Sequence, residues 1–285
     1  MAIAYYYFNA YSSSGWSDPA YMVDGNTSTG AYLFATTNAY ATVTKTENQR
    51  CSGNECVGTS LGRITKVEMR YRYDIGRTLF IQNPVAGRNY VNTTPYFNGS
   101  AGTLRTMFDV SGTAAVSATW TGWYDITSDA NHPTWGTDWD DVKNMDMNVF
   151  GYVSYTGEGW STNYGGLIQS GYAIQLAITY TPYAASTGSI TSPTAAAIAY
   201  RSGTGLAING TAVNAVGVNK VQYKVDAGSW VDCTGTTAWS VTVPQSSLTL
   251  GAHTIYVQVQ EVGSGTWTAV DNVAIVQSPL PSQMI

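Results

Sequence analysis

Lys66-Val67-Glu68-Met69-Arg70-Tyr71-Arg72-Tyr73-Asp74-Ile75 is the stretch whose reading decides the fold class. Val67, Met69, Tyr71, Tyr73 and Ile75 alternate with Lys66, Glu68, Arg70, Arg72 and Asp74. That strict period of two belongs to a β-strand with one buried and one wet face. The wet face concentrates Lys66, Arg70 and Arg72, which reads first as solvated charge and second as a surface for an acidic partner. The same period returns at Met145, Met147, Val149, Gly151 and Val153, and again at Tyr172, Ile174, Leu176, Ile178 and Tyr180. Residues 5–11, 77–82, 104–110 and 114–123 are further strand-like runs, so the chain is expected to be all-β. Residues 83–102 and 155–171, rich in Gly, Pro and Asn, read as loops. Asp138 to Val142 reads as a single helical turn, because carboxylates at a helix start complement the backbone amides.

Composition narrows the function classes. The chain has 285 residues, enough for one large domain or two ordinary ones and for a real core. Only 11% of residues are charged and the net charge is −5, so the basic stripe that a nucleic-acid partner requires is missing. No apolar run approaches the roughly 18 residues of a membrane helix, so no membrane insertion is expected. Met1-Ala2-Ile3-Ala4-Tyr5-Tyr6-Tyr7-Phe8 does not read as a signal peptide. The 21 Tyr and 29 Gly, with abundant Ser, Thr and Asn, suit a surface exposed outside cells. Two origins fit: a trimmed signal, or synthesis in the cytosol and release by lysis, as for virion proteins. Cys51 and Cys56 bracket a short polar turn that could close as a local disulfide, whereas a metal would need more ligands. Cys233 reads as a small buried residue.

Residues 120–153 hold Trp120, Trp123, Trp135 and Trp139 among Asp125, Asp129, Asp138, Asp140, Asp141 and Asp146. Rings beside carboxylates suit sugars, whose CH faces stack while their hydroxyls bond to acids. Most of these tryptophans read as filling a sandwich core and its rim, Trp120 and Trp123 foremost. Trp135, Trp160 and Tyr164 lie outside alternating strands and are the candidate glycan-stacking rings, with Asp138, Glu158 and Asn163 as polar neighbours. Catalysis is not expected. His132 and His253 both read as structural. Asp138, Asp140, Asp141 and Glu158 could supply the carboxylate pair of a glycosidase, but the first three read as helix-start residues.

Three resemblances extend this reading. Asp24-Gly25-Asn26-Thr27-Ser28-Thr29 resembles the loop of discoidin-like carbohydrate-binding sandwiches, which implies Asp24, Asn26 and Thr29 as ligands of a structural calcium. Ala31 stands where that family has Trp, and Gln175 where it has Glu. An Asx-turn without metal is the alternative. No other cofactor is implied. The span 120–182, with Met145, Met147 and Val149 and the closing Ala173 to Pro182, looks like jelly-roll modules of tailed-phage structural proteins. Residues 190–277, carrying Gly210-Thr211-Ala212, Val225-Asp226 before Trp230, and His253, resemble a bacterial immunoglobulin-like domain.

The expected architecture is therefore a jelly-roll β-sandwich over 1–182, a linker at 183–189, an immunoglobulin-like β-sandwich over 190–277 and a tail at 278–285. The resemblances imply a non-catalytic surface protein of a phage-like virion, as capsid decoration or tail component, touching host-surface glycans. Its partners would be other virion proteins and further copies in a homo-oligomer. The alternative is a secreted carbohydrate-binding module of a bacterial surface protein or glycoside hydrolase.

Overall fold

A computed structural model describes residues 1–37, 41–77, 86–112, 114–157, 165–195, 197–200 and 205–279. The chain divides into two compact units, Met1–Thr59 with Ile64–Tyr180, and Ser60–Arg63 with Thr181–Ile285. The expected strand at 77–82, and Trp160, Tyr164, Glu158 and Asn163, lie largely or wholly outside the described residues.

The first unit contains β1 (Ala2–Tyr7), β2 (Tyr11–Ser14), β3 (Ala31–Thr37), β4 (Thr42–Cys51), β5 (Gly62–Arg77) and β6 (Ala86–Phe97). Then follow β7 (Ser100–Ala101), β8 (Arg105–Ser111), β9 (Val116–Trp120), β10 (Tyr124–Asp125), α1 (Asp140–Lys143), β11 (Asp146–Thr156) and β12 (Gly165–Pro182). One six-stranded sheet runs β1-β12-β5-β10, with β3 also on β12 and β9 also on β5. The other runs β2-β4-β11-β6-β7, with β8 also on β6.

The alternating strands supply the core between these sheets. Val67, Met69, Tyr71 and Ile75 of β5, Ile174, Leu176 and Ile178 of β12, and Met147, Val149 and Val153 of β11 are all buried. Each large aliphatic side chain removed from water contributes roughly 1.5–3 kcal/mol, so this alternation outweighs weak local propensities. Gly151 faces the same core, and a Cβ there would collide with the Trp16 indole and with Leu33. Trp139 is fully buried.

Parts of two expected loops are strands. β6 was hidden because Asn89, Thr93 and Pro95 share its buried face with Val91 and Phe97. Proline donates no ladder hydrogen bond, yet Pro95 sits opposite Met147 and its carbonyl accepts from Gly102 N at 2.7 Å. β12 starts at Gly165, inside the expected 155–171 loop, and residues 165–171 pair with β3. Its glycines mark close approach: a Cβ on Gly166 would lie 2.5 Å from Ala35 O. The Cys51–Cys56 bridge is not formed. Both are buried free thiols, Cys51 under Gln49 Nε2 and Cys56 against Trp139 O, and burial pushes the Cys51 thiol up to about 12.

The second unit contains β13 (Thr187–Ser192), β14 (Ala197–Tyr200), β15 (Leu206–Val213), β16 (Val218–Val225), β17 (Val231–Asp232), β18 (Thr234–Gly235), β19 (Ala238–Val243), β20 (Gly251–Glu261) and β21 (Trp267–Ser278). Sheets β13-β15-β19-β18 and β14-β21-β20-β16-β17 enclose Ile208, Val221, Trp239, Ile255, Val257 and Ile275. Val221 and Tyr223 point inward and Lys224 and Gln222 outward, as the alternation requires. β13 begins at Thr187, so ordered structure reaches into the expected linker. His253 is buried, with Nδ1 2.7 Å from Asp226 Oδ2 and Nε2 2.9 Å from Thr249 O. Both ring nitrogens face acceptors, which favours the imidazolium, and the Asp226 hydrogen bond raises its pKa.

Candidate functional site

The outer face of the β1-β12-β5-β9 region brings together side chains that sequence spacing keeps far apart. On β1, Ala4 and Tyr6 pack on the core, while Ile3 and Tyr5 are each 53% exposed. Tyr5 pairs with Ala177 and Tyr7 with Gln175 on β12. Ala173, Gln175 and Ala177 alternate with the core residues of β12 and are themselves buried beneath the larger side chains of this face. Arg72 of β5 pairs with Trp120 of β9, and cross-strand partners share a face, so Trp120 joins the charged side of β5.

The resulting cluster is a guanidinium held between two indoles. Arg70 Cζ lies 4.2 Å from the Trp120 ring centroid and 4.4 Å from that of Trp123. Tyr7 abuts Trp120 at 6.5 Å and Tyr5 abuts Trp123 at 6.0 Å between centroids. Arg70 Nε and Nη2 both donate to Gln175 Oε1, at 2.9 and 2.6 Å. Arg72 lies 5.9 Å from both Trp120 and Tyr172, and its Nε donates to Thr27 O at 3.1 Å. The Tyr172 hydroxyl donates to Asp74 Oδ2, and burial followed by that carboxylate pushes its pKa up to about 12. Lys66 on the same strand is paired with Glu68 at 2.6 Å. Among the described residues neither Arg70 nor Arg72 has a carboxylate partner. The face therefore offers flat rings for CH stacking and unspent guanidinium N–H groups for anionic or hydroxyl oxygens.

The expected sites fare differently. Trp120 and Trp123 do not fill the core as expected. They are half-buried on this outer face, where the strand pairing puts them. Trp135 is not a free ring: it is half-buried, its Nε1 donates to Thr127 O at 2.7 Å, and Phe97 meets it edge-on. Asp138 is exposed and accepts from Asp140 N at 3.0 Å, as a helix-start residue. Asp141 accepts from Asn98 Nδ2 at 3.2 Å, and Asp140 pairs with Lys143 one turn on. Asp129 is a structural hub: its side chain is fully buried, 2.5 Å from Arg105 Nη1. Burial pushes its pKa up, but hydrogen bonds from Arg105, Thr103 N and Ala130 N outweigh that and hold it low.

Asp24, Asn26 and Thr29 do come together, as an Asx-turn. Asp24 Oδ1 accepts from Asn26 N at 2.7 Å and Oδ2 from Thr29 Oγ1 at 2.6 Å, while Asn26 Oδ1 accepts from Ser28 N at 2.9 Å. These residues do not fit a calcium cage, which takes six to eight oxygens. The loop offers one carboxylate, Arg72 already occupies the Thr27 carbonyl, and Gln175 faces Arg70. Among the described residues no group of three His, Cys, Asp or Glu could hold a metal.

Residues 187–257 match the bacterial Ig domain family, so the second unit contains a bacterial Ig-like domain. Such a domain points to a surface or adhesion-type protein. No curated protein matches the sequence. Among solved structures, the adhesin domain of Epf from Streptococcus pyogenes aligns over 99% of this chain and 93% of its own, at 9% identity and a TM-score of 0.27. A β-1,2-glucanase from Parabacteroides distasonis aligns over 98% of this chain and 37% of its own, at 9% identity and a TM-score of 0.28. An endo-β-1,4-mannanase from Thermotoga petrophila aligns over 34% of this chain, at 11% identity and a TM-score of 0.28; the match spans only 20% of the mannanase. Scores this low say nothing about activity. Among the described residues no helix is long and apolar enough to cross a membrane.

Proposed function

We propose that the chain is a non-catalytic surface protein in which the first sandwich contacts glycans and the bacterial Ig-like domain accompanies it. The observation that carries this is Arg70 stacked between Trp120 and Trp123, with Tyr5 and Tyr7 alongside and no carboxylate partner among the described residues. Rings and a guanidinium whose charge no described carboxylate neutralises favour sugars that bear acidic groups. A non-catalytic role fits the carboxylates of the helix-start region, since Asp138, Asp140 and Asp141 are each engaged in local hydrogen bonds or ion pairs. We place the protein on a phage-like virion, as capsid decoration or tail component, on the resemblance of 120–182 to phage jelly-roll modules. The bacterial Ig match also suits the second reading, a carbohydrate-binding module of a bacterial surface protein.

Single-face contacts of this kind are weak, on the order of millimolar to tens of micromolar, so useful strength comes from many copies. Screening the full chain against acidic and neutral glycans tests the reading. Binding to at least one acidic glycan that is lost in Trp120→Ala/Trp123→Ala, with the melting temperature retained, is the expected outcome. Absence of any glycan binding, or binding indifferent to the double substitution, contradicts it. The virion setting predicts that the protein co-purifies with density-banded phage particles and forms a homo-oligomer by light scattering.

A further inference from the structure

The bacterial Ig-like unit carries an aromatic groove of its own. Lys224 of β16 pairs with Tyr256 of β20, and Tyr256 pairs with Asn272 of β21. Tyr223 pairs with Val231, so Trp230 flanks Lys224 on the opposite edge. A single row, Trp230–Lys224–Tyr256–Asn272, thus crosses the outer face of the five-stranded sheet. It lines a groove of about 440 Å³, together with Asp271 and Val270. A β-bulge opposite Val257 and Gln258 places Val270 as the extra residue and turns Asp271 towards β13, where Oδ2 accepts from Ile190 N at 2.7 Å.

The charge on this row is uncompensated at one end. Lys224 Nζ lies 4.9 Å from the Trp230 centroid and 5.3 Å from that of Tyr256, held by the ring faces without being neutralised. Among the described residues it has no hydrogen-bond acceptor or carboxylate. The next row is closed by contrast: Gln258 donates to Gln222, and Gln222 and Lys220 both donate to Asp232. Asp271, the carboxylate in the groove, already accepts from the Ile190 and Asn272 backbone N–H groups.

We propose that this groove binds a carboxylate-bearing pyranose, a uronic-acid-type sugar, independently of the face on the first unit. Its carboxylate would meet the Lys224 ammonium, its CH face the 39%-exposed Tyr256 or Trp230, and its hydroxyls Asn272 and the remaining lone pairs of Asp271. An extended acidic peptide would also meet Lys224, but it has no flat CH face for two rings flanking a cation.

The test uses the full chain in a Trp120→Ala/Trp123→Ala background, so that the face on the first unit does not contribute. Tetragalacturonate is titrated by calorimetry, with neutral cellotetraose and tetraglutamate as controls. Expected is tetragalacturonate binding that weakens at least about tenfold in Lys224→Gln and in Trp230→Ala, with melting temperatures unchanged, and weaker binding of both controls. Lys224→Gln is the safeguard should Trp230→Ala unfold. No tetragalacturonate binding, binding indifferent to Lys224→Gln, or equal binding of tetraglutamate or cellotetraose would overturn the proposal.

Discussion

The two outer faces of the first sandwich use the same pairing of arginines with aromatic rings and reach different electrostatic ends. On the β11-β6 face, Tyr90 stacks on Tyr152 at 4.6 Å and Arg88 lies over Tyr90 at 4.9 Å, but Arg88 also forms a two-point pair with Asp109. Arg50 there lies 3.4 Å from the Tyr96 centroid and pairs with Asp146 at 2.8 Å. On the β12-β5 face, Arg70 and Arg72 have only rings and neutral acceptors among the described residues. Aromatic–arginine stacking therefore does not by itself mark a binding surface. The missing carboxylate does, because it leaves charge and donors unspent.

The largest effect separates core from face. Trp139→Ala should cost about 3–5 kcal/mol in a urea melt, since a fully buried indole is removed. Trp123→Ala should cost under about 1 kcal/mol. Comparable losses would put Trp123 in the core and remove it from the face. A second contrast concerns cations. Arg105→Ala should destabilise by about 3 kcal/mol, because it strands the buried Asp129 charge. Arg70→Gln should leave the melt almost unmoved and act on binding instead.

A smaller effect distinguishes the two units by pH. The folded pKa of His253 is raised above its ordinary 6.5. Its contribution is fully present below the unfolded value and is lost as pH rises through the folded one. Melting of the Ig-like unit should therefore fall as pH is taken from 6 to 8 (about the His titration range), and His253→Gln should flatten that trend. The smallest expected effect is none: excess calcium against chelator should not shift the melt, because the Asp24 loop closes on itself. A calcium-induced rise would reopen the discoidin-like reading.

How much the sequence disclosed follows from what periodicity can carry. Alternation exposed β5, β11 and the later part of β12, because apolar and polar residues take opposite faces there, whereas the Ig-like unit was legible through its family resemblance. It failed at β6, where Asn89, Thr93 and Pro95 point inward, and at residues 165–171, where glycine serves close packing. The outward direction of Arg70 and Arg72 was readable from β5 alone. That Trp120 and Trp123 join them was not, because it depends on the pairing of Arg72 with Trp120, which is tertiary register. Trp135 misled for the converse reason: a Gly- and Thr-rich context suggested exposure, while Thr127 and Phe97 hold it.

The most direct measurement of the central claim is acidic-glycan affinity of the full chain in a Lys224→Gln background, which silences the groove of the Ig-like unit, compared between Arg70→Gln and Arg88→Gln. Arg70→Gln should weaken binding at least about tenfold, a change of about 1.4 kcal/mol, while Arg88→Gln, whose charge is already met by Asp109, should leave it unchanged. Equal losses in the two variants, or none in either, would contradict the account.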